Sequence, residues 1–123
     1  MRPLLFAITL IFPAAALAQA APPASSQVAV HVAVTTPAGA PRTRVETGMA
    51  RSAPTYAKVP GLIRKYFTIG QSNFGGMYLF KDRASAQALF NDAWRAKTAQ
   101  TYGSQPVVTY FDVPLVVDNS VAK

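Results

Sequence analysis

The stretch Phe74-Gly75-Gly76-Met77-Tyr78-Leu79-Phe80 constrains the fold more than any other part of the chain. Successive side chains of a β-strand point to opposite faces of the sheet, and here both the even and the odd positions carry large apolar groups. A strand with one solvated face would alternate apolar with polar residues instead. The sheet that holds this strand therefore has to be covered on both sides. With 123 residues the chain has material for one domain and one core, so it cannot supply two generous layers itself.

Other segments follow around that strand. Val28 to Val34 alternates, with four valines on one face and Ala29, His31 and Ala33 on the other. Thr35 to Pro41 breaks it. Thr43-Arg44-Val45-Glu46 has the form of a capping box, which predicts a helix running through Met49 towards Tyr56. Gly48 costs that helix about 1 kcal/mol and Pro54 removes a hydrogen bond, so a bend or break is expected near Ser52 to Pro54.

Leu62 to Ile69 and Phe74 to Lys81 then read as two strands joined by the hairpin Gly70-Gln71-Ser72-Asn73. Asp82 is placed to cap a further helix, whose apolar positions Ala86, Leu89, Phe90, Ala93 and Trp94 share one face, with Tyr102-Gly103 as its stop. Pro106 to Val117 predicts a last strand, interrupted or edged at Pro114.

This order, strand, helix, strand, strand, helix, strand, is that of a ferredoxin-like α+β domain, βαββαβ, with a four-stranded antiparallel sheet and two helices on one face. The uncovered apolar face exceeds what a monomer usually exposes, and the economical cover is a second copy. A homodimer is expected, and obligate interfaces of that kind bury roughly 2,000 Å² or more.

The N-terminus reads as a targeting segment. Met1-Arg2-Pro3 gives a positive start, Leu4 to Phe12 an apolar run, and Ala14 to Ala20 a small-residue exit with overlapping A-x-A sites. A signal peptide over residues 1–20 is expected, cleaved after Ala20 or Ala18, then a flexible leader over 21–27, the domain over 28–118 and a tail over 119–123. The run is short for a spanning helix and contains Pro13, so no stable membrane insertion is expected after cleavage. The destination would be periplasmic or secreted.

Composition narrows the chemistry. Cys is absent, so neither disulfides nor thiolate metal sites are available. One His and five dispersed acids give no zinc spacing and at most one axial haem ligand. Gly75-Gly76 lies within a strand rather than before a helix, so it suits close backbone approach or a bulge, not phosphate binding. No Ser sits in a strained elbow motif, and no acid lies near His31 in sequence. The net charge of +7 favours anionic partners, but the Lys and Arg residues form no block, and a nucleic acid partner is not expected.

Pro60-Gly61-Leu62-Ile63-Arg64-Lys65-Tyr66-Phe67-Thr68, followed by Gly75 to Phe80, Ser85-Ala86 and Phe111-Asp112-Val113, resembles the putative monooxygenase family of the dimeric α+β barrel superfamily, relatives of the antibiotic-biosynthesis monooxygenases. The resemblance spans about Val28 to Asp118 and is densest from Pro60 to Ala86. It implies paired sheets closing a barrel. It also implies oxidation of fused-ring phenols or quinols by molecular oxygen with no cofactor, neither metal nor flavin, although other members of the wider superfamily degrade haem or isomerise lactones. The chain departs from the pattern in its expected export, its basic balance, its Gly- and Pro-containing first helix, and Arg64 where an aromatic residue would be expected.

Such chemistry needs a group that removes a phenolic proton, donors that hold the resulting anion, and a dry aromatic pocket. His31, the one imidazole, and Tyr78 are the catalytic candidates. Arg64 and Lys65 could hold an oxyanion, and Tyr66, Phe67, Phe90, Trp94 and Tyr110 could line the pocket around a small aromatic substrate. Each also has a plainer role: a lone strand His is commonly a sheet or dimer contact, aromatics at strand and helix spacing are usually core, and strand cations are usually solvated. A module that binds a hydrophobic small molecule without turnover, and an accessory dimer that meets an acidic partner, stand as the alternatives.

Overall fold

The computed structural model describes residues 26–120. The expected signal peptide (1–20), most of the leader (21–25) and the end of the tail (121–123) lie outside the described residues. The elements are β1 (Val28–Thr35), α1 (Arg42–Tyr56), β2 (Leu62–Ile69), β3 (Asn73–Phe80), α2 (Arg83–Leu89), α3 (Asp92–Tyr102) and β4 (Val107–Asp112). Every strand pair is antiparallel and the sheet order is β2-β3-β1-β4, the ferredoxin-like arrangement.

The core is built from β1 outward. Val28, Val30, Val32 and Val34 are all buried on one face, joined there by Phe74, Tyr78 and Phe80 of β3 and by Ala86 and Phe90 from the helical side. Phe90 is the hinge of this cluster, meeting the rings of Tyr78 at 5.0 Å and Trp94 at 4.9 Å edge to face. Gly75 lets β1 and β3 approach, because a Cβ there would collide with the carbonyl oxygen of Val32.

The other face of the sheet is open. Ala29, His31 and Ala33 of β1 lie between Leu79, Met77 and Gly75 of β3 and Phe111, Thr109 and Val107 of β4. Tyr66, Met77, Val107 and Phe111 each leave more than half of their surface exposed. The apolar odd positions of the Phe74 to Phe80 strand thus point to a face that this protomer does not cover.

Four sequence expectations are corrected. The Thr43–Glu46 capping box does not form: α1 starts earlier, at Arg42 behind Pro41, Glu46 pairs with Arg42, and the Thr47 hydroxyl donates to the Thr43 carbonyl. Pro at the N-cap needs no donor of its own, which favours the earlier start. Nor does α1 break at Pro54, which lies in its last turn, where a single missing N–H leaves the Ala57 N–H still bonded to Ala53.

The helix expected from Asp82 to Tyr102 is two helices. Asp82 caps α2 by accepting from the Ser85 N–H, and Asn91 caps α3 by accepting from the Trp94 N–H, so Phe90 sits at the corner and can turn into the core. The final strand stops at Asp112, five residues short of Val117; Pro114, two residues on, cannot donate to a ladder. No helix among the described residues is long and apolar enough to cross a membrane.

Candidate functional site

Helix α1 carries no buried side chain. Val45, Met49 and Tyr56 reach the core only in part, and Thr47, Gly48 and Ser52 between them are small. These side chains leave the space beneath the helix unfilled, and a half-open cavity of about 1,000 Å³ lies between α1, α3 and the valine face. Its size suits a fused-ring ligand, at the upper end of the usual 300–1,000 Å³ or so.

Lys65 lies on the floor of this cavity because of a register irregularity between Leu62 and Arg64. Two residues of β2 there oppose one of β3, so the alternation restarts and Lys65 pairs with Tyr78 while Phe67 pairs with Gly76. Gly76 makes the room: a Cβ there would fall 3.0 Å from Lys65 Cε and 2.9 Å from a Tyr78 ring carbon. The Lys65 Nζ stands 3.2 Å from the Tyr56 ring centroid, 3.9 Å from that of Phe67 and 4.7 Å from that of Tyr78.

Two effects act on this amine in opposite directions. Burial lowers its pKa from 10.5 to about 7. The three ring faces favour the ammonium by about 0.5–2 kcal/mol. No ion pair to Lys65 forms among the described residues, where the two salt bridges are Arg42–Glu46 and Arg83–Asp112. A group left in this balance can exchange a proton near neutral pH.

Tyr78 is driven the other way. Burial, then the Tyr56 hydroxyl as neighbour and hydrogen-bond partner, hold it far above the ordinary phenol range. Tyr78 therefore keeps its proton and does not serve as a base.

The structure sorts the candidates named from sequence. Lys65, Phe67, Tyr78 and Trp94 line the cavity together. Phe90 is sealed in the core behind Trp94, and Tyr110 packs on Phe90 under the Arg83 guanidinium, 5.3 Å from its ring centroid; neither lines the cavity. His31, Arg64 and Tyr66 lie on the open face of the sheet, where Arg64 donates to the Tyr66 hydroxyl at 3.1 Å. His31 and Tyr78 are on opposite faces, so one protomer does not bring them into one site.

Tyr56 was not among the sequence candidates. Its signal was present, since Val45, Met49, Ser52 and Tyr56 form a stripe at helical spacing, but only the tertiary fold brings Tyr56 over β2. Among the described residues no three His, Cys, Asp or Glu side chains gather where they could hold a metal ion.

The fold is that of antibiotic-biosynthesis-monooxygenase-like proteins. The family model described as Putative mono-oxygenase ydhR matches residues 28–117, and the chain belongs to that family. Among solved structures, the NE2512 protein of Nitrosomonas europaea superimposes with a TM-score of 0.59 at 23% identity, covering 81% of this chain and 99% of that one. SnoaB of Streptomyces nogalater, a cofactor-independent oxygenase, gives a TM-score of 0.54 at 20% identity over 75% of this chain and 97% of its own. The monooxygenase from the ActVA-Orf6 gene of Streptomyces coelicolor, solved with nanaomycin D, gives 0.54 at 14% identity over 80% and 96%. Among curated proteins nothing matches the chain.

Proposed function

We propose that this protein is a cofactor-independent monooxygenase that acts on a small aromatic phenol or quinol in the cell envelope. The observation that carries the reading is the Lys65 amine, held among three rings on the floor of an apolar cavity large enough for a fused-ring substrate. Family membership and the likeness to SnoaB, a cofactor-independent oxygenase, support the class of reaction. The signal-like residues 1–20 support the location.

The neutral Lys65 amine takes the phenolic proton, and the ammonium so formed holds the phenolate. The anion's raised electron density allows the ring to pass an electron to oxygen and then to join it at carbon. Loss of water from the resulting hydroperoxide leaves the oxidised ring. The substrate supplies all the electrons: SH2 + O2 gives SO + H2O. Tyr56, whose ring packs against those of Phe67 and Tyr78, completes the cage around the amine, and Trp94 adds to the aromatic lining.

The open sheet face supports a homodimer. Exposed Tyr66, Met77, Val107 and Phe111 flank His31 on a surface that a second copy would cover, and His31 then belongs to the contact between subunits. A binding module without turnover would use the same cavity; it is favoured by a lining that, among the described residues, holds no imidazole and no carboxylate.

Oxygen uptake with a polycyclic quinol tests the reading. The protein is expected to outpace autoxidation, and Lys65→Met to abolish the excess while leaving quinol binding within a few-fold. Uptake equal to buffer across a phenol panel, with ligand bound and returned unchanged, would establish the binding module instead.

A further inference from the structure

The cations that look scattered in sequence converge on the cavity. Arg44 and Arg51 stand seven residues apart on α1, hence on one side of it, and Lys97 stands on α3 across the opening; all three line the cavity and are exposed, while Lys65 lies half-buried at its floor. Acids are missing from the same surface: no Asp or Glu lines it.

All five acids of the chain are placed elsewhere. Glu46 turns to Arg42, Asp82 caps α2, Asp92 sits in the first turn of α3, Asp112 pairs with Arg83, and Asp118 accepts from Ser120 and faces Arg64. A concave, largely apolar site with cations and no counter-charge focuses a positive potential on whatever enters it.

We propose that the cavity is built for an aromatic acid, a fused-ring phenol that also carries a carboxylate, with the carboxylate at the Arg44, Arg51 and Lys97 rim and the phenol at Lys65. The inference rests on the reading of this cavity as the substrate site. The rim steers and orients, because exposed cations act at a distance and are screened by salt, whereas Lys65, half-buried among three rings, is screened less. Orientation follows from having one charged end to the ligand: the ring enters with its hydroxyl leading and its carboxylate at the mouth.

Calorimetric titration of the protein with 6-hydroxy-2-naphthoate, whose hydroxyl and carboxylate stand at opposite ends of the fused rings, and with its methyl ester tests this, since the ester removes the charge and adds only one methyl group. At low salt the acid is expected to bind at least tenfold more tightly than the ester, and the advantage to shrink several-fold at 0.5 M NaCl. In the triple variant Arg44→Gln, Arg51→Gln, Lys97→Gln the acid-to-ester ratio is expected to fall close to one. Equal affinities for acid and ester in the unaltered protein, or a preference that ignores both salt and the triple substitution, would overturn the proposal. Oxygen uptake is read separately: quinols turned over with no preference for the acid would sink this inference and leave the monooxygenase reading standing, and acid preference without turnover would do the reverse.

Discussion

The Lys65 ammonium nitrogen lies 3.2 Å above the centre of the Tyr56 ring, so the end of α1 and an interior position of β2 meet through one cation and one π face. This contact forms over a floor that Gly76 leaves empty. Its consequence is measurable in the pH dependence of stability.

In the folded protein Lys65 titrates near 7, against 10.5 for an unperturbed lysine such as the unfolded chain presents. Between those values the unfolded chain binds a proton that the folded chain lacks, so stability rises with pH through this window and the full penalty applies below it. Solvent reaches the cavity and the rings compensate part of the cost, so the expected gain is about 1–3 kcal/mol from pH 7 to 10.5. Lys65→Met should be more stable than the parent at pH 7 and flatter across the window in urea denaturation. A parent curve that falls steadily from pH 7 upward would contradict the placement of this amine.

Gly48 lines the cavity from α1, and a Cβ there would meet nothing within 4 Å. Gly48→Ala is expected to stabilise the protein by about 0.5–1 kcal/mol through helix propensity. Gly48→Phe should fold as well as the parent and lose small-molecule binding at least tenfold, because the ring would occupy the cavity. Thermal melts paired with calorimetric titration separate the two effects.

The adjacent glycines of β3 should differ in severity. Gly75→Ala sets a methyl group against the Val32 backbone oxygen, which only a shift of β1 can relieve, and is expected to cost about 3 kcal/mol or more. Gly76→Ala presses on Lys65 and Tyr78 side chains, of which lysine can move; about 1–2 kcal/mol is expected, together with an altered Lys65 titration. Denaturation midpoints of the two variants give the order.

Pairing of the open sheet faces predicts that Met77→Lys and Phe111→Lys, each at a position more than half exposed in one protomer, shift the protein from dimer to monomer in sedimentation at micromolar concentration. The helical face and its cavity lie on the far side of the sheet, so the variants keep their far-ultraviolet dichroism. Parent protein that sediments as one copy at that concentration would rule out the paired barrel.

Local pattern was enough for the sheet and its pairing partners. The four alternating valines, the Gly70 to Asn73 connection and the two-sided Phe74 to Phe80 strand each imply their element by period or turn chemistry alone, and their order implies the ferredoxin-like topology. Helix ends were less legible. Asn91 is as good a cap as Asp82, but a continuous apolar stripe from Ala86 to Trp94 conceals the corner, which forms because Phe90 gains more by turning inward than the helix loses by stopping.

The amino-acid order by itself determined that a twice-apolar strand, flanked by one alternating strand and two amphipathic segments, must form an antiparallel sheet with helices on one side, because periodicity is a local property. Only the tertiary structure decided which residues share the cavity. One irregularity between Leu62 and Arg64 sends Lys65 inward and leaves Arg64 and Tyr66 outside, and the position of α1 brings Tyr56, Arg44 and Arg51 to the same space as Lys97. Those partners are tens of residues apart, and a single inserted position in a strand reverses every side chain that follows it.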